Sequence, residues 1–172
     1  MTMIRLHNDA WGFETNCFVC EPTNDDGLQI TFFHDTDRDI VVAEFELSSA
    51  FSGAPTLVHG GITLAVLDEA MAWACIAVGG QWAVTAQTTT RFLRAVRVGS
   101  RYRVEARVLD HIEGLMQTSA EVLDTRDAVR AEAVADFTTL GEAQAIQVTG
   151  AEVTEANREF LARDHDSPRR HG

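Results

Sequence analysis

Two carboxylates, Asp68 and Glu69, interrupt the run from Ile62 to Val78, whose only other polar residue is Thr63. Neighbouring positions on a helix point about 100° apart, so the two cannot face one cavity as a paired acid and base. In a dry setting a carboxylate has its charge disfavoured and its pKa raised, the state in which it serves as general base or nucleophile. The residues alone equally admit a bland alternative, in which both groups escape through a gap in the fold or pair with arginine. Upstream stands His59-Gly60-Gly61, where loop gives way to helix. The first amides of a helix lack intrahelical partners, and two glycines let a substrate carbonyl approach them closely. The same pair would also serve as a tight entry turn.

These groups need a scaffold, and the rest of the chain describes one. Its 172 residues, 45 % hydrophobic, suffice for one domain spanning 1–172. The core is expected over about 17–140, with 141–172 peripheral. Three cysteines, Cys17, Cys20 and Cys75, are too few for a disulfide framework, and the start MTMIRLHND has no apolar signal segment, so a reducing, cytoplasmic location is expected. The formal charge of −12 argues against nucleic acid or an anionic membrane as partner. A bilayer span over 62–78 is disfavoured, because each mid-helix carboxylate would cost about 2.5–3.5 kcal/mol.

Alternation predicts a hairpin from Leu28–Phe33 and Ile40–Leu47, then a helix from Gly60 to about Val78 stopped by Gly79-Gly80. Four strands follow: Trp82–Leu93, Arg101–Leu109, Leu115–Leu123 and Val129–Leu140. In the second of these, Tyr102, Val104, Ala106 and Val108 alternate with charged residues. Two strands, an all-round apolar helix and four strands make an α+β fold, an antiparallel sheet curled around one long central helix. A peripheral helix is expected over Ala151–Arg163, with fraying from Asp164 to Gly172.

LVHGGITLAVLDEAMAWA, with its acid nine positions after the histidine, resembles the signature of the phenylacetyl-CoA-type branch of the hotdog-fold acyl-CoA thioesterases. AVTAQTTTRFLRAVRVG resembles the same family's next strand and turn, and the resemblance covers roughly Cys17 to Leu140. CFVCEPTNDDGLQITF is similar to the opening of one branch, with Glu21 where glycine is usual. A Cys-x-x-Cys pair supplies only two of four zinc ligands, and no second Cys or His pair is suitably spaced. Loop packing and no metal site are therefore expected.

The resemblance implies hydrolysis of an acyl-CoA thioester in a groove between two subunits, with no cofactor, coenzyme A being part of the substrate. Asp68 would be nucleophile or general base, the Gly60 amide with Gly61 would meet the oxyanion, His59 would orient the loop or thioester, and Thr85 would hold the attacking water. A homodimer at least, and a homotetramer of two dimers, is implied. Some relatives carry Asn or Gln in the loop before the histidine and a proline after Phe-Leu-Arg. Here Phe51–Val58 has neither amide, and Ala95 replaces the proline. Arg94 and Arg97, beside the following turn, are the candidates for the CoA phosphates, since the guanidinium fork binds phosphate in a bidentate manner. Met71, Trp73 and Phe92 would limit the acyl pocket. The alternatives are an acyl-CoA-binding hotdog module without catalysis and a hotdog dehydratase.

Overall fold

A computed structural model describes residues 2–8 and 15–150 of the chain. The strands are β1 (Met3–Leu6), β2 (Phe32–Asp35), β3 (Ile40–Glu46), β4 (Ser52–Ala54), β5 (Leu57–Val58), β6 (Ala83–Phe92), β7 (Arg101–Ile112), β8 (Leu115–Asp124) and β9 (Val129–Thr139). The helices are α1 (Gly60–Ala77) and α2 (Glu142–Thr149). Seven strands form one antiparallel sheet in the order β1-β2-β3-β7-β8-β9-β6, and β4 and β5 pair apart from it. The expected α+β architecture, an antiparallel sheet around one central helix, is what the chain adopts.

The sheet holds α1 against a floor of small side chains. Val41, Ala106, Ala120, Ala133 and Thr90 lie side by side across β3, β7, β8, β9 and β6. Ala106, Ala120 and Ala133 are buried, and so are Val66, Leu67, Ala70, Met71, Ala74 and Cys75 on the helix. Side chains this short let the helix backbone approach the sheet while the larger helical residues fill the space, as close packing of a core requires. By length and composition α1 would suffice to cross a membrane, with mean hydropathy 1.4, but half of it is buried within the fold.

Glycines end the helix as expected, each for its own reason. Gly80 takes the left-handed conformation, φ +67°. Gly79 lies so close to Met116 that a Cβ there would stand 2.4 Å from its sulfur.

Several elements differ from expectation, among them the short pair β4–β5 formed within the stretch read as loop before His59. The first strand begins at Phe32 rather than Leu28, because Gln29 at φ +53° breaks the extended run and the amides of Leu28 and Ile30 bond to Phe18 and Val19 instead. Strand β1 adds itself to β2 at the sheet edge. A helix follows the last strand at Glu142–Thr149. The helix expected over 151–163 and the fraying expected over 164–172 lie outside the described residues.

Substituting Ala120→Leu forces a large side chain between sheet and helix. It is expected to destabilise the fold by about 1–3 kcal/mol, read as a thermal midpoint lowered by several degrees with the far-ultraviolet spectrum retained.

Candidate active site

His59 is the N-cap of α1, and its geometry decides which helical amides remain free. Its Nδ1 accepts from the Gly61 amide at 2.9 Å, while its carbonyl accepts from the amides of Ile62 and Thr63 at 3.0 and 3.1 Å. Of the first four amides of the helix, Gly60 alone has no acceptor among the described residues. Gly61, expected to share in substrate binding through its amide, has that amide committed to the His59 ring. The Gly60 amide stands at the positive end of the helix dipole, exposed, and the nearest side-chain atom to the place a Cβ would take is Phe92 Cζ at 3.7 Å. His59 is also pinned from the other side: a Cβ on Gly53 would stand 3.0 Å from its Cα.

Asp68 and Glu69 look in different directions, as adjacent helical positions must. Asp68 is half-buried and faces β6, where Thr85 Oγ1 donates to its Oδ1 at 2.9 Å. Burial raises the Asp68 carboxyl above its ordinary range, and the Thr85 hydrogen bond partly offsets this. A bulge aims Thr85 at the helix. The β6–β9 pairing slips between Thr85 and Gln87, so Thr85, Thr88, Thr90 and Phe92 share the helix-facing side although their numbers change parity. Bulges recur beside active sites for this reason.

Glu69 faces the segment between β1 and β2. Cys17 Sγ donates to its Oε1 at 3.4 Å, and Cys17, Cys20 and Glu69 bring their donor atoms within 4.8 Å of one another. Burial, and then the Cys17 sulfur, push the Glu69 carboxyl up to about 8. The Cys20 thiol's hydrogen bond draws Cys17 down to about 5, and the same bond pushes Cys20 upward. Nothing in the Cys-x-x-Cys spacing announced Glu69 as its neighbour, because the third group comes from 52 residues away.

The remaining expected residues fall as follows. Met71 and Trp73 are buried in the core, whereas Phe92 is 56 % exposed and stands against Gly60. Of the arginines around the expected pair, Arg91, Arg101 and Arg103 are paired with Glu132, with Glu46, and with Glu105 and Asp127 respectively. Arg94 and Arg97 are exposed and form no ion pair among the described residues. An open hollow beside Arg97 is also lined by Arg101, Arg126 and Arg130.

Residues 56–131, which hold His59, Gly60, Asp68, Glu69 and Thr85 but neither Cys17 nor Cys20, match the family model described as the thioesterase superfamily. No curated protein matches the chain. Among solved structures, the thioesterase superfamily protein RHA08564 superposes with a TM-score of 0.67 at 22 % identity, over 76 % of this chain and 64 % of that one. The PaaI protein of the Escherichia coli phenylacetic acid degradation operon gives 0.56 at 21 %, over 60 % and 74 %. Protein smu.793 of Streptococcus mutans UA159, solved bound to acetyl CoA, gives 0.57 at 18 %, over 60 % and 82 %. The chain spans under two thirds of the first of these. The fold is the hotdog fold, and the resemblance to hotdog-fold thioesterases, PaaI among them, holds at that level.

Because the folded state holds its Asp68 proton more tightly than the unfolded chain, it loses stability as pH rises from the unfolded towards the raised folded pKa. Asp68→Asn cannot ionise and keeps an acceptor for Thr85. Its melting temperature at pH 7 is therefore expected to equal or exceed that of the wild type in calorimetry.

Proposed function

We propose that the protein is an acyl-CoA thioesterase in which Asp68 acts on the thioester carbonyl, directly or through water, and the Gly60 amide receives the developing oxyanion. The observation that carries the reading is the pairing of one free, unobstructed helix-N-terminal amide with one half-buried carboxyl held by a hydroxyl. A carboxyl raised by burial is, once ionised, a stronger base than an ordinary one. Thr85 fixes which oxygen of Asp68 is engaged and holds the attacking water beside it. His59 is a positioning residue, since its ring and carbonyl take three amides and leave the fourth for substrate.

The two groups do not act within one chain. Eight residues of helix separate Gly60 from Asp68, about 12 Å at 1.5 Å per residue. An attacking atom about 3–3.5 Å from the carbonyl carbon and a donor about 3 Å from its oxygen do not bridge that gap. Each site therefore takes Asp68 and Thr85 from one subunit and Gly60 from another. The terminal strand β6 supports such association, because it bears Thr85 and exposes Val84 and Phe92, with Leu93 just beyond its end. An unpaired apolar edge calls for cover. A homodimer is the smallest assembly that completes a site, and a tetramer would join two such pairs. Arg94 and Arg97, which have no carboxylate partner among the described residues, would take the CoA phosphates. Two of the solved relatives point the same way, one named from phenylacetic acid degradation and one bound to acetyl CoA.

The test is thiol release from a panel of aromatic and aliphatic acyl-CoAs. Wild type is expected to hydrolyse at least one class, and Asp68→Asn to lose about 10²–10⁴-fold in kcat with folding and assembly intact. Wild type that binds CoA esters and hydrolyses none would replace the enzyme with an acyl-CoA-binding module. Activity should fall on the acid side with a midpoint above the ordinary 3.8 of aspartate, because the base must be ionised and burial raises its pKa. Gly60→Pro removes one N–H at the first helical position, where proline is well tolerated, after a His59 whose ψ of 135° already suits it. It is expected to lower kcat by about 10²–10³-fold with little change in melting temperature.

A further inference from the structure

The mechanism leaves unused the second carboxylate of α1 and the two cysteines it faces. Cys17 Sγ, Cys20 Sγ and a Glu69 oxygen lie within 4.8 Å of one another, each residue partly buried, with 3.4 Å between Cys17 Sγ and Glu69 Oε1. A tetrahedral zinc ion with bonds of about 2.3 Å to sulfur and 2.0–2.2 Å to oxygen needs separations of about 3.8 Å between sulfurs and 3.6 Å between sulfur and oxygen. The cluster has that scale.

Its surroundings are those of metal-bound thiolates. The amides of Val19 and Cys20 both donate to Cys17 Sγ at 3.4 Å, and Asn8 Nδ2 donates to Cys20 Sγ at 3.4 Å. N–H donors aimed at ligand sulfurs orient them and spread their charge. Asn8 is itself held by Thr15 at 2.9 Å. The carboxylate brought from the central helix supplies a third, anionic oxygen ligand to the two sulfurs.

We propose that Cys17, Cys20 and Glu69 form a binding site for one zinc ion per chain, with water as the fourth ligand. Two thiolates select zinc over magnesium and calcium, which take oxygen ligands. The ion ties the segment between β1 and β2 to the turn of α1 that bears Asp68, so it fixes the wall behind that carboxylate while taking no part in the reaction. The absence of a second Cys or His pair, the reason for expecting no metal, is answered by a ligand distant in sequence.

The test uses the full chain, reduced and stripped of metal, titrated with zinc against a chromophoric chelator and separately with cobalt(II). One zinc per chain and a near-ultraviolet thiolate-to-cobalt charge-transfer band are expected. Cys17→Ser and Cys20→Ser should each lower the band to about half, one of two thiolates remaining, and weaken binding by about tenfold or more, and Glu69→Gln should weaken binding while leaving the band. X-ray absorption of the zinc-loaded wild type keeps the proposal falsifiable should a variant fail to fold. Two sulfur and two light scatterers are expected. No stoichiometric uptake, a sulfur-free zinc environment, or uptake that survives loss of both cysteines would overturn it. All these readouts are independent of thioester hydrolysis, so inactivity towards acyl-CoAs would leave the result standing.

Discussion

The seating of α1 on the row Ala106, Ala120 and Ala133 is the constraint from which the site follows. A helix lowered this far into a curved sheet has little solvent along its length, so any polar group it carries meets either protein or a gap. Asp68 meets the β6 gap and Thr85; Glu69 meets the Cys17–Cys20 turn. Were the floor built from leucine or valine, the helix would ride higher and both carboxylates would be hydrated, with ordinary pKa values and no fixed hydrogen-bond partner. Desolvation that raises Asp68 is thus a product of packing, not of a neighbouring charge.

The same seating delivers the helix start to the surface. With Met71 and Trp73 buried at mid-helix, Gly60 projects at the open end, and His59 closes three of the four unmatched amides there. One N-cap side chain both stabilises the helix, as such caps do by about 1 kcal/mol, and defines which donor remains for a ligand. One hydrogen-bond arrangement thus both caps the helix and leaves the Gly60 amide open.

Much of this was readable beforehand because it depends on local pattern. The alternation of Tyr102, Val104 and Ala106 gives β7, and the apolar run with paired glycines at both ends gives α1. The Asp68–Thr85 contact followed only from family resemblance, since β6 changes parity at a bulge after Thr85 that no alternation rule locates. Strand β1 escaped because four residues carry too short a pattern. The alternation at Leu28 and Ile30 reads as strand four residues ahead of the true start of β2, because these residues alternate like a strand while bonding to a loop. Glu69 beside Cys17 is a tertiary contact with no local signal, and the spacing of the free arginines says nothing of which ones find carboxylates.

A site shared between chains makes activity recoverable by mixing two inactive subunits. Asp68→Asn and Gly60→Pro chains, each inactive, are unfolded together, refolded and assayed for acyl-CoA hydrolysis. In a two-fold dimer with shared sites, one of the two sites in each mixed dimer has both groups intact. Random mixing therefore restores about a quarter of wild-type activity. A mixture as inactive as its parents, with mixed dimers present, would place Asp68 and Gly60 in one chain's site and contradict the account.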